Sequence, residues 1–362
     1  MIDGSRQPTL LSLGLMSGTS LDGVDAALLW TDGDSAGIAG RALTVPYPET
    51  MRRDLRSVLG GQGPVTEVER RITLFHADVA ETLLREAGQP RPAVVGFHGH
   101  TVLHQPASFR TWQIGDGALL ATRLGCAVVN DFRSSDVAAG GQGAPLLPAF
   151  HAALATAADR PLAVLNIGGV ANVTWIGGDG SLSAWDTGPG NALLDDWMLL
   201  HAGTSFDRDG ALAGAGAIDQ DAVTQFLGHP HFACRPPKSL DRDEFRGWVH
   251  SLLQGKSPAD GAATLAAMTV AAIAAAQQWF PAPPLQWLVA GGGRHNRFLM
   301  RRLQEALPVA VHPVERQGWN GDALEAQGFA YLAVRSLRGL PLSWPGTTGV
   351  PRPMPGGRLY RP

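Results

Sequence analysis

One carboxylate stands in a segment whose composition is unusual for a simple turn. Asp186 opens the segment 186–191, which reads DTGPGN, and a helix is predicted to begin near Asn191. The N-terminus of a helix favours anions, and a carboxylate placed there could act as a general base on a hydroxyl group or a water molecule. The alternative is an ordinary N-terminal turn in which the Asp caps the helix. The pattern alone leaves both interpretations open.

Three glycine-rich turns could hold an anionic ligand. They read SGTSLDGVD at 17–25, NIGGVAN at 166–172 and GGG at 291–293, the last followed by Asn296. Glycine lets the backbone approach phosphate, and Ser and Thr hydroxyls can donate to its oxygens. Asp22 or Asp25 could bind Mg²⁺ directly or through water. Each turn is also typical of a plain loop, but three in one chain favour a nucleotide.

Histidine and arginine side chains supply further candidates. His98 and His100 follow a predicted strand at 93–97, and an H-x-H pattern at the end of a strand is found in metal-dependent hydrolases. Apart from a pair at 229 and 231 in a predicted loop, the other histidines are scattered, which favours a role in facing a substrate or stabilising a loop. Arg133, within NDFRSSD, could bind a carboxylate or phosphate through two hydrogen bonds, or pair with a neighbouring Asp.

The elements that must position these residues alternate between strands and helices, which favours an α/β fold. Strands are predicted at 10–15, 24–30, 93–97, 127–130, 161–167, 172–176 and 285–290, and helices at 68–87, 117–124, 191–201, 297–307 and 322–337. Gly18 and Gly169 each lie between two strands, 151 positions apart, which weakly indicates a duplication. Glu325 lies beside apolar residues of the last helix, and this position alone favours an exposed flank.

Composition limits the class of protein. The 362 residues carry a net charge of −3, so no electrostatic footprint for nucleic acid or an anionic membrane is visible. The chain has two cysteines, too few for a disulfide framework. Its lysines are Lys238 and Lys256, so we expect backbone N–H groups rather than a catalytic lysine to hold phosphate. The uncharged stretch 262–276 is predicted to be a buried helix rather than a membrane span. No secretory signal is visible at the N-terminus, and we expect a cytoplasmic protein.

Taken together, these segments resemble the anhydro-N-acetylmuramic acid kinase family. The matching motifs follow one another along nearly the whole chain: GLMSGTSLDGVD at 14–25, GFHGHTVLHQP at 96–106, QIGDGALLA at 113–121, NDFRSSDVAAGGQGAPLLPAFH at 130–151, NIGGVAN at 166–172, WDTGPGNALLDDW at 185–197, RPPKS at 235–239, VAGGGRHN at 289–296 and DALEAQGFAYLA at 322–333.

The resemblance implies an actin-like ATPase fold in which two ribonuclease-H-like lobes, expected at 1–140 and 141–362, surround a central nucleotide cleft. It implies ATP and Mg²⁺ as cofactors, with Asp22 as the metal ligand. The nucleotide-binding residues it implies are Gly18, Thr19, Ser20, Leu21, Asp22, Gly23, Val24, Asp25, Asn166, Gly168, Gly169, Gly291, Gly292, Gly293 and Asn296.

The same resemblance implies an unusual reaction in peptidoglycan recycling. Asp186 would deprotonate a water that opens the 1,6-anhydro ring of 1,6-anhydro-N-acetylmuramic acid, and the released O6 would take the γ-phosphoryl group of ATP. The substrate is a small amino sugar, which Arg133, Glu325, Asp186 and His98 would bind. The family suggests a homodimer.

This sequence also departs from the family pattern. The family is expected to carry Gln where His100 stands, and further Arg near Ser134 and Ser135. These departures leave open the role of position 100 and some substrate or lobe contacts. The alternatives to a kinase are a metal-dependent hydrolase that uses His98 and His100, and a non-catalytic sugar sensor on a kinase-like fold.

Overall fold

A computed structural model describes residues 7–18, 20–241 and 243–362. Its strands are β1 (Leu10–Met16), β2 (Gly23–Thr31), β3 (Ile38–Pro46), β4 (Val94–Phe97), β5 (His100–Gln105), β6 (Arg110–Ile114), β7 (Ala127–Asn130), β8 (Leu162–Ile167), β9 (Val170–Ile176), β10 (Leu182–Pro189), β11 (Gln286–Ala290), β12 (Val311–Pro313) and β13 (Arg358–Tyr360). Its helices are α1 (Glu49–Ser57), α2 (Val65–Ala87), α3 (Gly117–Leu124), α4 (Ser134–Ala138), α5 (Pro148–Leu154), α6 (Ala192–Ala202), α7 (Ala211–Ala215), α8 (Gln220–Leu227), α9 (Pro230–Ala233), α10 (Arg246–Leu252), α11 (Pro258–Ala276), α12 (Arg297–Ala306), α13 (Leu324–Leu337) and α14 (Pro345–Thr348).

The chain divides by its contacts into two units. The first comprises the chain up to Thr156 together with Ala323–Pro362, and the second comprises Ala157–Asp322. The predicted division at 140/141 had placed the whole C-terminal part in the second lobe. The observed contacts instead place Ala323–Pro362 in the first unit, because α13 packs on β1, β2 and β4, and because β13 pairs with β7. The last forty residues therefore complete the first unit.

The first unit is built on a sheet in the order β13-β7-β4-β1-β2-β3. Strands β1, β2 and β3 are antiparallel neighbours, whereas β1, β4 and β7 run parallel. Helix α2 covers one face through an apolar core that includes Ile72, Leu13 and Phe97. Helix α13 crosses β1 and β4 so closely that Gly14 and Gly96 lie against its backbone.

The second unit repeats this arrangement with the order β10-β9-β8-β11-β12. Again the first three strands, β8 to β10, are antiparallel neighbours, and β8, β11 and β12 run parallel. Both sheets thus share the order third, second, first, fourth, fifth, with a glycine turn between the first two strands, and the first sheet adds β13 as a sixth strand. This shared topology confirms the predicted α/β class with two ribonuclease-H-like units. It also strengthens the case for duplication raised by Gly18 and Gly169.

Helix α11 forms the centre of the second unit. Most of its residues are buried, and its apolar side chains pack in a core with Trp185, Trp287 and Phe226. The stretch Pro258–Trp279 is long and apolar enough to cross a membrane by length and composition, but 72% of its most apolar window is buried within the protein. The prediction of a buried helix is therefore confirmed, and the stretch is only weak support for a membrane span.

Candidate functional site

The candidate residues of the first unit gather at one edge of its sheet. Because β1 and β4 run parallel, their carboxyl ends meet there: β1 leads into the turn that begins at Ser17, and β4 ends beside His98. The parallel strand β7 leads to Arg133 at the same edge. Glu325 lies in the first turn of α13, one turn before Phe329, whose ring lies 4.7 Å from the His98 ring. Glu325 is half-buried rather than on the exposed flank that its position in the sequence favoured.

The turn after β1 is anchored from inside the first unit. The buried Ser17 Oγ accepts a hydrogen bond from the Tyr47 hydroxyl at 2.9 Å and lies 3.0 Å from His100 Nδ1. Leu21 adopts a left-handed φ of 61°, and its N–H donates to the Gly18 carbonyl at 3.2 Å. The turn therefore has a fixed base, in which His100 takes part.

The outer part of this turn carries oxygen ligands. The Asp22 side chain is exposed, whereas Asp25 Oδ1 accepts a 2.6 Å hydrogen bond from Thr44 Oγ1. Mg²⁺ retains several waters and commonly uses one or two carboxylates together with phosphate oxygens, so the exposed Asp22 fits a Mg²⁺ ligand. Ser20 is also exposed, and Thr19 lies outside the described residues.

Arg133 is held by two partners. Its Nη1 donates to the Gly143 carbonyl at 2.7 Å, and its Nη2 lies 3.0 Å from His98 Nε2. The other ring nitrogen of His98, Nδ1, lies 2.9 Å from the Gly99 carbonyl oxygen, so it carries the proton and Nε2 accepts from Arg133. Burial, and then the Arg133 charge, hold the pKa of His98 well below its usual value.

This arrangement bears on the metal-hydrolase alternative. A histidine that binds a metal needs one ring nitrogen for the metal, but both nitrogens of His98 are engaged, and one faces a guanidinium. The neighbouring His100 directs Nδ1 to Ser17. The H-x-H pattern therefore serves to hold Arg133 and the turn after β1, and the hydrolase alternative is not favoured.

We expect the free energy of unfolding to fall steeply as pH is lowered from about 7 to about 5. Burial is the largest cause of the lowered pKa in five histidines: His76, His98, His104, His151 and His231. In the unfolded chain, each of these histidines takes up a proton as the pH falls through its ordinary pKa of 6.5. In the folded chain the pKa of His76 is about 4, so this side chain is protonated only at a lower pH. In that window each such histidine contributes a slope of about 1.4 kcal/mol per pH unit.

Denaturant unfolding at several pH values measures this slope. His76→Gln should reduce this pH dependence by about one proton. The exposed His250 offers a matched control, because His250→Gln makes the same substitution outside the core. A free energy of unfolding that stays constant between pH 7 and pH 5 would contradict the prediction.

In the second unit, the two remaining glycine turns converge with the end of the DTGPGN segment. Strands β8 and β11 run parallel, and Gly168 and Gly291 are the residues that directly follow them. A Cβ on Gly291, which has a φ of 76°, would lie 2.5 Å from Asn166 Oδ1, so only glycine fits there. The backbone N–H of Asn191 donates to the Gly168 carbonyl at 2.7 Å.

The other residues of these turns have different surroundings. Gly292 is exposed, Gly293 is packed against Ile167, and Gly169 accepts a 3.0 Å hydrogen bond from the Gly190 N–H. Asn296 is buried and caps α12 by accepting from the Leu299 N–H at 2.9 Å. A capping role therefore accounts for Asn296 structurally, and its contact with a nucleotide stays a prediction.

Asp186 lies in a strand and not in a loop at a helix N-terminus. Strand β10 continues through Pro189, and α6 begins only at Ala192. The pairing of β10 with β9 shifts register between Asp186 and Gly188, which is the pattern of a β-bulge. Such bulges redirect side chains near functional sites, and this one lies at the carboxyl end of β10.

The segment 231–240 contacts Asp186 at three points. The Leu240 N–H donates to Asp186 Oδ2 at 2.8 Å, the Asp186 N–H donates to the Lys238 carbonyl at 3.0 Å, and His231 Nε2 lies 3.1 Å from the Asp186 carbonyl oxygen. RPPKS at 235–239 matches the family pattern, but the sequence alone indicates no role for it. Its role depends on contacts with Asp186, which is more than forty residues away along the chain, and local sequence patterns do not contain such contacts.

The sequence profile of one protein family, described as anhydro-N-acetylmuramic acid kinase, matches residues 10–362. The chain belongs to the anhydro-N-acetylmuramic acid kinase family. Among relatives with that name, the protein of Paramagnetospirillum magneticum is 60% identical over 355 residues, which cover 98% of this chain and 100% of the relative. The Rhodospirillum rubrum protein is 58% identical and covers 96% of this chain and 94% of the relative. The Acidiphilium cryptum protein is 56% identical, with coverages of 97% and 98%.

Membership of the anhydro-N-acetylmuramic acid kinase family confirms the resemblance found in the motifs and makes the chain a phosphotransferase that uses ATP. Likeness to solved structures is distant. The activator of 2-hydroxyisocaproyl-CoA dehydratase from Clostridium difficile with bound ADPNP is 13% identical, with a TM-score of 0.47 and coverages of 91% and 96%. This likeness is too low to indicate a function.

Proposed function

We propose that this kinase opens the 1,6-anhydro ring of 1,6-anhydro-N-acetylmuramic acid with water and phosphorylates O6, giving N-acetylmuramic acid 6-phosphate and ADP. Family membership supports the substrate class, because relatives up to 60% identical carry that name. The observation that carries the mechanism is the buried Asp186 carboxylate, oriented by the Leu240 N–H on a strand bulge. In the cell the reaction belongs to peptidoglycan recycling, in the cytoplasm, with the enzyme as a homodimer.

Asp186 acts as the general base. It accepts a proton from a water molecule as the water oxygen bonds to the anomeric carbon, and the electron pair of the breaking C1–O6 bond moves to O6. O6 then bonds to the γ-phosphorus of ATP, and ADP leaves. Because the carboxylate is held on the bulge, positioning of the water supplies much of the rate enhancement.

The glycine turns hold the nucleotide in this proposal. Residues 18–25 and the turn at Asn166, Gly168 and Gly169 bind phosphates through backbone N–H groups, and 291–293 with Asn296 lie against the adenosine. Asp22 would hold Mg²⁺, which would supply the charge neutralisation on the phosphates that phosphoryl transfer requires. A fixed base under the first turn and an exposed Asp22 support this assignment.

In this proposal Arg133 and Glu325 bind the sugar, and His98 contributes by orienting Arg133. The carboxylate of the muramic acid lactyl group suits the guanidinium of Arg133, which His98 and Gly143 hold in place. Glu325 can accept hydrogen bonds from sugar hydroxyls at the same edge of the sheet. His98 acts through Arg133 and is therefore a positioning residue.

The proposal is tested with 1,6-anhydro-N-acetylmuramic acid, MgATP and ¹⁸O-labelled water. We expect stoichiometric ADP formation and one ¹⁸O at the anomeric hydroxyl of a 6-phosphorylated sugar, detected by mass spectrometry. Label in the phosphate, or ring opening without ATP, would contradict the mechanism. Sugar binding without turnover would instead support the sugar sensor.

A further inference from the structure

A buried lysine of the second unit lies beside the proposed catalytic base. Lys238 is only 8% exposed, and its Nζ donates to the His231 carbonyl oxygen at 2.6 Å. Burial lowers the pKa of Lys238, and Cys234 and then the Asp186 carboxylate act in the opposite direction. The other lysine, Lys256, is half-buried and forms an ion pair with Asp219 elsewhere in this unit.

The Lys238 side chain closes a loop around Asp186. Its ammonium group joins the end of the segment 231–240 to the carbonyl at its beginning. The Lys238 carbonyl accepts from the Asp186 N–H, and two residues beyond the closed loop the Leu240 N–H donates to the Asp186 carboxylate. His231 contacts the Asp186 carbonyl oxygen from the other end of the segment. The hydrogen bond from Lys238 therefore fixes both groups that orient Asp186.

We propose that Lys238 is a positioning residue, whose hydrogen bond to the His231 carbonyl holds the segment 231–240 so that the Leu240 N–H aims the Asp186 carboxylate. The inference rests on the proposed function, in which Asp186 is the base. A shift of about 1 Å in a reacting group can cost about 10²-fold in rate, so losing this bond should affect turnover far more than ligand binding.

Three variants test the role of Lys238: Lys238→Met, which keeps the length but removes the donor; Lys238→Arg, which restores a donor; and the control Lys256→Met. Steady-state kinetics should show kcat about 10- to 100-fold lower for Lys238→Met, with KM for ATP within about twofold of the unsubstituted enzyme. Lys238→Arg should recover at least a substantial part of kcat, and Lys256→Met should match the unsubstituted enzyme.

Two kinetic outcomes would overturn the proposal. One is an unchanged kcat in Lys238→Met, and the other is an increase in KM for ATP at constant kcat, which would make Lys238 a nucleotide ligand. If the unsubstituted enzyme fails to phosphorylate the sugar, the proposed function fails, and a crystal structure of Lys238→Met still tests the positioning role. That structure should lose the Leu240 N–H contact to Asp186, and an intact contact would overturn the proposal.

Discussion

Asp186→Asn is expected to lower kcat by about 10²- to 10⁴-fold, the usual contribution of a general base, while ATP still binds. The amide is nearly isosteric with the carboxylate and can still accept from the Leu240 N–H, so β10 and its bulge should persist. The amide is too weak a base to take the proton of the attacking water. Single-turnover phosphorylation measures the rate, and calorimetric titration with a non-hydrolysable ATP analogue measures binding.

The exposed Asp221, in the first turn of α8, offers a matched control for this substitution. Asp221→Asn removes the same charge from the same unit and should leave kcat within about twofold. If Asp186→Asn were as active as the unsubstituted enzyme, Asp186 would have no part in the mechanism. Equal losses of ATP binding and turnover would point to a folding defect instead.

Gly14→Ala is expected to lower the free energy of unfolding by about 3 kcal/mol or more. A Cβ on Gly14 would lie 1.7 Å from the Ala326 carbonyl oxygen and 2.6 Å from the Ala330 nitrogen. Both atoms belong to the backbone of α13, so no side-chain rotation relieves the clash, and the helix must move away from β1. Overpacking commonly costs about 1–3 kcal/mol even where side chains can adjust. Urea unfolding, monitored by circular dichroism, measures the change.

Gly178 is the matched control for Gly14, because a Cβ there would meet no atom within 4 Å. Gly178→Ala should change the free energy of unfolding by no more than about 0.5 kcal/mol. A Gly14→Ala protein as stable as Gly178→Ala would show that α13 is not fixed against the sheet. Since Glu325 lies in the first turn of α13, a displaced helix should also weaken sugar binding.

Local sequence signals predicted several elements closely. Helix α3 was predicted at 117–124, where the structure has it, because Asp116 caps its start and Gly125 ends it in a left-handed conformation. Strand β7 is likewise predicted at its observed bounds, because its short apolar run lies between the turn-forming residues Gly125 and Asp131. The first two glycine turns lie between strands and the third lies between β11 and α12, as predicted, because glycine and the flanking apolar runs are short-range features.

Other features depended on contacts that short-range patterns do not contain. Gly188 and Pro189 predicted a loop, but β10 is an edge strand, and an edge strand tolerates proline because one side of its backbone needs no partner. The scarcity of lysine predicts that no catalytic lysine holds the phosphates, but it gives no sign that the backbone and side chain of Lys238 lie near Asp186. The return of α13 to the first unit reflects packing on Gly14 and Gly96, which are more than 200 residues away in sequence.

The assignment of α13 to the first unit sets an order of assembly during synthesis. The second unit is one continuous stretch, 157–322, and all of its strands are synthesised before α13. The face of the first sheet that carries Gly14 and Gly96 stays uncovered until residue 337 has left the ribosome. Because domains generally fold as units while the chain grows, we expect the later-encoded unit to fold first and the earlier one to wait for α13.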